Sequence, residues 1–183
     1  IATVAAVLSI GIIGSGSGLL VGLGDVLAAY DTWSAYRPET EGVLVAYSSI
    51  YGHTAEAANR LAEALREKGV ETVAMDLARC DMAEAVAQAF RFSKLVLATP
   101  TYNADVFPFM KEFIHHLTER NYQNRTVAFI ENGSWAPMAA KVMTKMLEGS
   151  KNLTYAATTV TVRGALNAAS EAQLAALADE LSR

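Results

Sequence analysis

A continuous apolar run that ends in a hydroxyl-rich turn constrains the fold of this chain more than any other feature. The run covers residues 43–47 and is followed by the turn 48–54, after which residues up to Lys68 repeat apolar side chains at helical spacing. A strand without polar alternation is typical of a parallel sheet that helices cover on both faces. The pattern therefore predicts a buried β-strand, a turn and an α-helix in that order.

The turn itself predicts a site for an anion. At the start of a helix the first backbone N–H groups lack partners within the helix, and the helix dipole favours negative charge there. The turn contains no Lys or Arg, so a phosphate would rest on backbone amides and hydroxyls, whereas a Walker loop requires a lysine. We interpret it as a phosphate cradle made of Ser49, Ile50, Tyr51, Gly52, His53 and Thr54. His53 is open to two interpretations, an exposed residue or a charge-assisted phosphate contact.

Strand-like and helix-like segments alternate through the rest of the chain. The predicted strands cover residues 43–48, 70–77, 94–99, 126–130 and 153–162. Pro100 is expected to end the third strand, and Ser170 with Gln173 is expected to cap the closing helix. With 183 residues and 52% hydrophobic content, the chain is long enough to bury a sizeable core. This alternation predicts an α/β fold, a doubly wound sheet with helices on both faces.

Two further loops follow predicted strands and carry candidate ligand-binding residues. Ligands of open α/β sheets bind outside the carboxyl ends of the strands, where these loops would lie. Tyr102 and Trp135 could sandwich a planar heterocycle between them, or each could pack as an ordinary loop aromatic, and Asn103 could simply cap a turn. The candidates are Thr99, Pro100, Thr101, Tyr102 and Asn103 in one loop, and Asn132, Gly133, Ser134 and Trp135 in the other.

The N-terminal part of the chain differs from the rest in composition. Residues 1–24 carry no charge and many glycines, so we expect a remnant of an upstream domain or a linker. Residues 25–42 are expected to form a connecting helix and residues 43–183 the ligand-binding domain. A dinucleotide fingerprint is not supported, because Leu19 stands where the pattern needs a nearby third glycine.

Charge and composition exclude several classes of function. The formal net charge of −4 argues against nucleic acid as a partner, and no basic run favours a membrane surface. The single cysteine, Cys80, fits a reducing compartment and hence a cytoplasmic location. His115 and His116 are adjacent on a predicted helix and point in different directions, so no metal site is expected. No Gly-x-Ser-x-Gly elbow is present, and no residue is assigned a catalytic role.

The three loops together resemble a known family. Tyr-Ser-Ser-Ile-Tyr-Gly-His-Thr at 47–54, Ala-Thr-Pro-Thr-Tyr-Asn at 98–103 and Glu-Asn-Gly-Ser-Trp at 131–135 resemble the flavodoxin-like domain of the A-type flavoproteins, or flavodiiron proteins. The resemblance implies a five-stranded parallel sheet in the order 2-1-3-4-5 that binds FMN. By position, the first loop would surround the FMN phosphate, and the other two would line opposite sides of the flavin.

The resemblance also implies a function. It predicts an electron-transfer flavoprotein domain that passes one or two electrons between a donor, such as rubredoxin or a flavin/NADH reductase, and an acceptor. A homodimer is a further expectation. Complete members of the family begin with a metallo-β-lactamase-like domain whose His-x-His/Glu-x-Asp-His run is missing from this sequence. Three alternatives therefore stay open: a fragment of an oxygen or nitric oxide reductase, a quinone-type flavin reductase, and an interaction module without cofactor.

Overall fold

The computed structural model describes the backbone of residues 18–183 and the side chains of residues 24–183. Two compact units are distinguished, one ending at Arg37 and the other running from Pro38 to Arg183. In the first unit, the described part is helix α1, Gly18–Ser34. Among residues 18–183, no helix combines the length and the apolar character needed to cross a membrane.

Helix α1 differs in its bounds from the connecting helix predicted for residues 25–42. It begins at Gly18 and includes glycines that the sequence assigns to the uncharged segment. It ends at Ser34 because Tyr36 adopts a left-handed conformation with φ of 55°, and Pro38 follows two residues later. Residues 1–17 lie outside the described part of the chain, so their origin as an upstream remnant or a linker stays a prediction.

The second unit alternates strands and helices from Thr40 to Leu181. Its strands are β1 (Thr40–Tyr47), β2 (Thr72–Asp76), β3 (Phe92–Tyr102), β4 (Asp105–Val106), β5 (Thr126–Asn132), β6 (Thr154–Tyr155) and β7 (Val160–Val162). Its helices are α2 (His53–Glu67), α3 (Met82–Arg91), α4 (Pro108–Glu119), α5 (Ala139–Met146) and α6 (Ala168–Leu181).

The sheet has the predicted strand order. β2, β1, β3 and β5 lie side by side and are parallel, and β6 and β7 both pair with the far side of β5. Since β5 is the predicted fourth strand and β6 with β7 replaces the fifth, the order 2-1-3-4-5 is confirmed. The short strand β4 is antiparallel to the end of β3.

Burial on both faces explains why the central strands read as unbroken apolar runs. In β1, Val43 and Val45 pack on one face of the sheet, and Leu44 and Ala46 pack on the other. Helices α2 and α6 cover the first face, while α3, α4 and α5 cover the second. Helices on both faces define a doubly wound α/β domain.

Three local expectations were wrong. Pro100 does not end β3, because the strand continues in register with β5 at this residue and then turns into the β3–β4 hairpin. The fifth strand is split into β6 and β7 with irregular backbone between them. The closing helix is capped by Asn167, whose side chain accepts hydrogen bonds from the amides of Ala169 and Ser170, and Ser170 occupies the N3 position of the capping box.

One buried side chain gives a test of the core. The Tyr122 ring is fully buried and packs edge-on against Phe90, yet its hydroxyl has no hydrogen-bond partner among the described residues. Burial also raises the pKa of this phenol, because it disfavours the charged form. A buried unsatisfied hydroxyl costs about 1–3 kcal/mol.

We therefore expect Tyr122→Phe to raise the free energy of unfolding by about 1 kcal/mol, since it removes the unpaired oxygen and keeps the ring. Urea denaturation of the purified chain measures the change. Tyr155→Phe is the matched control. The Tyr155 ring stacks on Phe129 and is partly exposed, so burial of its hydroxyl costs little free energy. A clear loss of stability in Tyr122→Phe would mean that the hydroxyl has a favourable interaction.

Candidate functional site

The turn after β1, the ends of β3 and β5 and the segments that follow β5 and β7 line a cavity of about 180 Å³ at the carboxyl edge of the sheet. Parallel strands end at the same edge, so residues far apart in sequence meet there. The lining residues are Ser49, Ile50, Tyr51, His53, Thr54, Pro100, Thr101, Asn132, Gly133, Ser134 and Gly164.

The floor of the cavity is the N-terminal end of helix α2. Gly52 is the N-cap residue and adopts a left-handed conformation with φ of 94°, and its amide donates to Ser49 Oγ at 3.1 Å. Gly52 has no side chain with which to cap the helix, and no side chain in the described chain takes that role. The first-turn amides of a 15-residue helix therefore face the site together with the positive end of its dipole.

Asn132 ties this helix end to the loop after β7. Its side chain is buried, and Nδ2 donates to Gly164 O at 3.0 Å and to Thr54 Oγ1 at 3.4 Å. The Gly164 amide in turn donates to Asn132 Oδ1 at 3.1 Å. The sequence places Asn132 on the flavin side of the site, whereas its contacts place it beside the predicted phosphate cradle.

The loop after β5 is anchored at both ends. The Gly133 amide donates to Val162 O at 3.0 Å, and the Met138 amide donates to Thr101 Oγ1 at 3.0 Å. Between these anchors the side chain of Trp135 is 99% exposed. The loop is thus held in place while its aromatic side chain lies in solvent.

Glu131 holds together the helix that follows this loop and the neighbouring strand β7. Its buried carboxylate accepts a hydrogen bond from the Ala140 amide at 3.1 Å and another from Thr161 Oγ1 at 3.0 Å. Ala140 lies in the first turn of α5, so the carboxylate also interacts favourably with that helix end. Glu131 does not line the cavity and is not placed to donate a proton there.

Tyr102 and Asn103 belong to the β3–β4 hairpin. Tyr102 pairs with Asp105, and the two residues between them, Asn103 and Ala104, both have positive φ values, 50° and 58°. The Tyr102 ring packs edge-on against Phe107 with 5.5 Å between ring centroids. Tyr102 and Asn103 line a neighbouring groove of about 540 Å³ along α4 and not the cavity itself.

The structure therefore brings most of the predicted site residues together and separates a few. Gly52 shapes the helix end without lining the cavity, and Thr99 is buried beneath it with its hydroxyl 2.9 Å from Ser48 Oγ. Tyr102, Asn103 and Trp135 lie outside the cavity, so the aromatic sandwich is not assembled in this structure.

Gly164 is the lining residue that sequence reasoning missed. It lies two residues after the end of β7 and has a positive φ of 86°, which favours glycine. A glycine two residues after the last strand was the available signal, because that strand ends at the same edge as the three loops already considered.

The residues that line the cavity suit a phosphate monoester that is bound without a metal ion. No Lys or Arg is among the residues that line it, and the available groups are amides, hydroxyls and the imidazole of His53. Such a donor set, at the end of a helix, binds an anion by hydrogen bonds and the helix dipole. FMN presents a phosphate monoester of this kind, so the residues present fit the cofactor that the resemblance implies.

The comparisons with known proteins agree with this fold. The sequence profile of the flavodoxin domain matches residues 44–170. A rubredoxin-oxygen oxidoreductase of Megalodesulfovibrio gigas is 23% identical over 154 residues, which cover 84% of this chain and 38% of that protein. This chain thus spans less than half the length of that relative.

Two solved structures show the same architecture. The flavodiiron protein from Giardia intestinalis superposes with a TM-score of 0.76 and 22% identity over 86% of this chain and 39% of that one. A flavodoxin from the domain Archaea superposes with a TM-score of 0.66 and 14% identity over 77% of this chain and 96% of that one.

Fold and cavity define a doubly wound α/β domain with a cavity at the carboxyl edge of its sheet that no Lys or Arg lines. The chain belongs to the flavodoxin domain family, since the family profile covers most of its length. It is an FMN-binding electron-transfer domain, and its resemblance to the flavodoxin-like domain of the A-type flavoproteins is confirmed.

Gly52 offers a test of how the site is shaped. A Cβ at this position would meet no atom within 4 Å, so Gly52→Ala introduces backbone strain and no clash. We expect it to lower the free energy of unfolding by about 1–2 kcal/mol, the cost of a left-handed conformation for a residue with a side chain.

Denaturant titration measures this loss, and Gly149→Ala is the matched control. Gly149 also has open space around its Cβ, but its φ is not positive. A Gly52→Ala variant as stable as the Gly149→Ala variant would show that the turn tolerates a side chain and can relax.

Proposed function

We propose that this domain holds FMN with its phosphate in the cavity at the N-terminal end of α2 and its isoalloxazine ring toward the two outer loops. Ser49, Thr54 and the first-turn amides would bind the phosphate. Bound FMN supplies the capacity to accept and release one or two electrons. The protein binds and orients the cofactor and relays electrons between a donor protein and an acceptor.

The uncapped end of α2 inside a cavity without cations is the observation that supports this proposal most. The first N–H groups of a helix are usually satisfied by a side chain, by water or by a ligand. Here the N-cap position is a glycine, and the surrounding side chains carry hydroxyl and amide groups. The arrangement favours an anionic ligand over a cationic or purely apolar one.

The ring side of the site would be completed by Tyr102 and Trp135. Both side chains are exposed next to the cavity, Tyr102 at 43% and Trp135 at 99%. A flavin ring stacks favourably on aromatic side chains, so cofactor binding would shield both side chains from water. His53, Pro100 and Thr101 would line the path between phosphate and ring.

The partners proposed for this chain are redox proteins. The related rubredoxin-oxygen oxidoreductase suggests rubredoxin as the donor, and a flavin/NADH reductase is the second candidate. Assembly into a homodimer and a cytoplasmic setting, the latter consistent with the single Cys80, are parts of the same proposal.

A second candidate function places the chain within a longer oxidoreductase. It spans 38% of the related oxidoreductase and 39% of the Giardia flavodiiron protein. In such a protein the domain would deliver electrons to a separate reactive centre. A quinone-type reductase is supported less, because Glu131, the acidic candidate near the ring, has both carboxylate oxygens engaged in supporting α5 and β7.

An absorption spectrum tests the cofactor directly. The purified chain should retain about one FMN per chain after excess FMN is added and removed, and Thr54→Ala with Tyr102→Ala should lose most of it. NADH or NADPH turnover by the isolated chain would favour the reductase alternative. A chain that stays colourless would overturn the proposal and favour an interaction module.

A substitution of Trp135 distinguishes the loss of a ligand contact from a loss of stability. Because its side chain is almost fully exposed, Trp135→Ala should leave the thermal midpoint of the apoprotein unchanged. We expect FMN affinity to fall by about tenfold, since one stacked aromatic contact is worth about 0.5–1.5 kcal/mol beyond its buried area.

Quenching of flavin fluorescence measures this affinity, and Tyr155→Ala is the control because Tyr155 is a partly exposed aromatic residue beside the start of β5, at the end away from the cavity. Unchanged FMN affinity in Trp135→Ala would remove Trp135 from the proposed site.

A further inference from the structure

Several hydroxyls of the cavity share a hydrogen-bonding pattern that the proposed function leaves unexplained. Each accepts a hydrogen bond from an N–H group of the protein. The pairs are the Gly52 amide to Ser49 Oγ (3.1 Å), the Asn132 side-chain amide to Thr54 Oγ1 (3.4 Å) and the Met138 amide to Thr101 Oγ1 (3.0 Å).

This pattern sets the direction in which the hydroxyls can donate. A hydroxyl carries one proton and two lone pairs. When a protein N–H occupies a lone pair, the proton is left for another acceptor, and the described residues offer none to Ser49, Thr54 or Thr101. All three residues line the cavity, so their protons are available to a ligand there. The cavity, which no Lys or Arg lines, therefore offers several hydrogen-bond donors.

Among the three N–H donors, Asn132 is the one that belongs to a side chain. Its orientation is fixed by Gly164, whose amide donates to Asn132 Oδ1 while its carbonyl accepts from Nδ2. Flipping the amide would set N–H against N–H and oxygen against oxygen. The second Nδ2 proton is therefore directed at Thr54, and both Asn132 and Thr54 are buried.

We propose that Asn132 is a positioning residue that makes the Thr54 hydroxyl a donor to the phosphate of FMN, with Gly164 fixing the Asn132 amide. The inference rests on the proposed function and adds an explanation of how the site would select between flavins. Asn132 would favour a flavin with a phosphate monoester over riboflavin, which lacks one, and it would do so through Thr54.

The test compares dissociation constants for FMN and riboflavin, measured by quenching of flavin fluorescence, across a small set of variants. Thr54→Val keeps the shape of the side chain and removes the donor. It should weaken FMN binding by about tenfold or more, the loss expected for one hydrogen bond to a charged acceptor, and leave riboflavin binding unchanged. Thr54→Ser keeps the hydroxyl and should retain the wild-type ratio of the two constants.

Asn132→Asp tests the positioning role. Its carboxylate can only accept, so it would take the Thr54 proton away from the cavity, and the preference for FMN should fall by at least about tenfold. Because the substitution also adds a negative charge, Asn121→Asp serves as the control. Asn121 is exposed in the turn that precedes β5, whereas Asn132 is the last residue of that strand, and this change should leave the preference intact.

A double variant separates charge repulsion from positioning. If Asn132 acts through Thr54, the effect of Asn132→Asp on the preference should shrink in a Thr54→Val background. An effect of the same size in both backgrounds would overturn the positioning role. Equal losses of FMN and riboflavin in Thr54→Val would also overturn it, even with FMN binding by the wild-type chain intact.

Thermal midpoints of the apoproteins report whether each variant folds, and Thr54→Val alone carries the test if Asn132→Asp does not fold. A wild-type chain that bound neither flavin would overturn the proposed function, and this inference with it.

Discussion

Parallel pairing between β1 and β3 is the constraint on which the rest of the structure depends. Parallel neighbours cannot be joined by a tight turn, so each connection must cross a face of the sheet as a helix. The crossing helices bury both faces, which is why residues 43–46 are all apolar. The same pairing puts the carboxyl ends of the parallel strands at one edge of the sheet. The polar residues that follow these ends meet there, at the start of α2.

This constraint also explains how much of the molecule could be predicted from the sequence. Long apolar runs and helical stripes specify which segments are strands and helices, and the strand order followed from the resemblance of three loops. The errors lie where local geometry overrides such patterns. Pro100 sits within β3 although proline usually interrupts a strand, and the final strand is split although most of its residues are β-branched or aromatic.

The candidate site was predictable in its location and less so in its details. Loops that follow strands had to meet at one edge, and most of their residues do line the cavity. Periodicity cannot say which way a loop side chain points, so Tyr102 and Trp135 were assigned to a sandwich that is not assembled here. Nor could it show that Asn132 and Gly164 hydrogen bond to each other, because the two residues lie 32 positions apart, at the ends of two different strands.

The double anchoring of the loop after β5 separates two tasks of the domain. Gly133 and Met138 are tied to the sheet edge, whereas the residues between them, Trp135 included, contribute little to the fold. Substitutions in this short span can therefore accumulate without loss of the scaffold, while Asn132 and Thr54 are constrained by each other. In evolutionary terms, a lineage carrying this architecture can diversify the exposed surface proposed to face the ring and the partners while it keeps the paired residues of the proposed phosphate site.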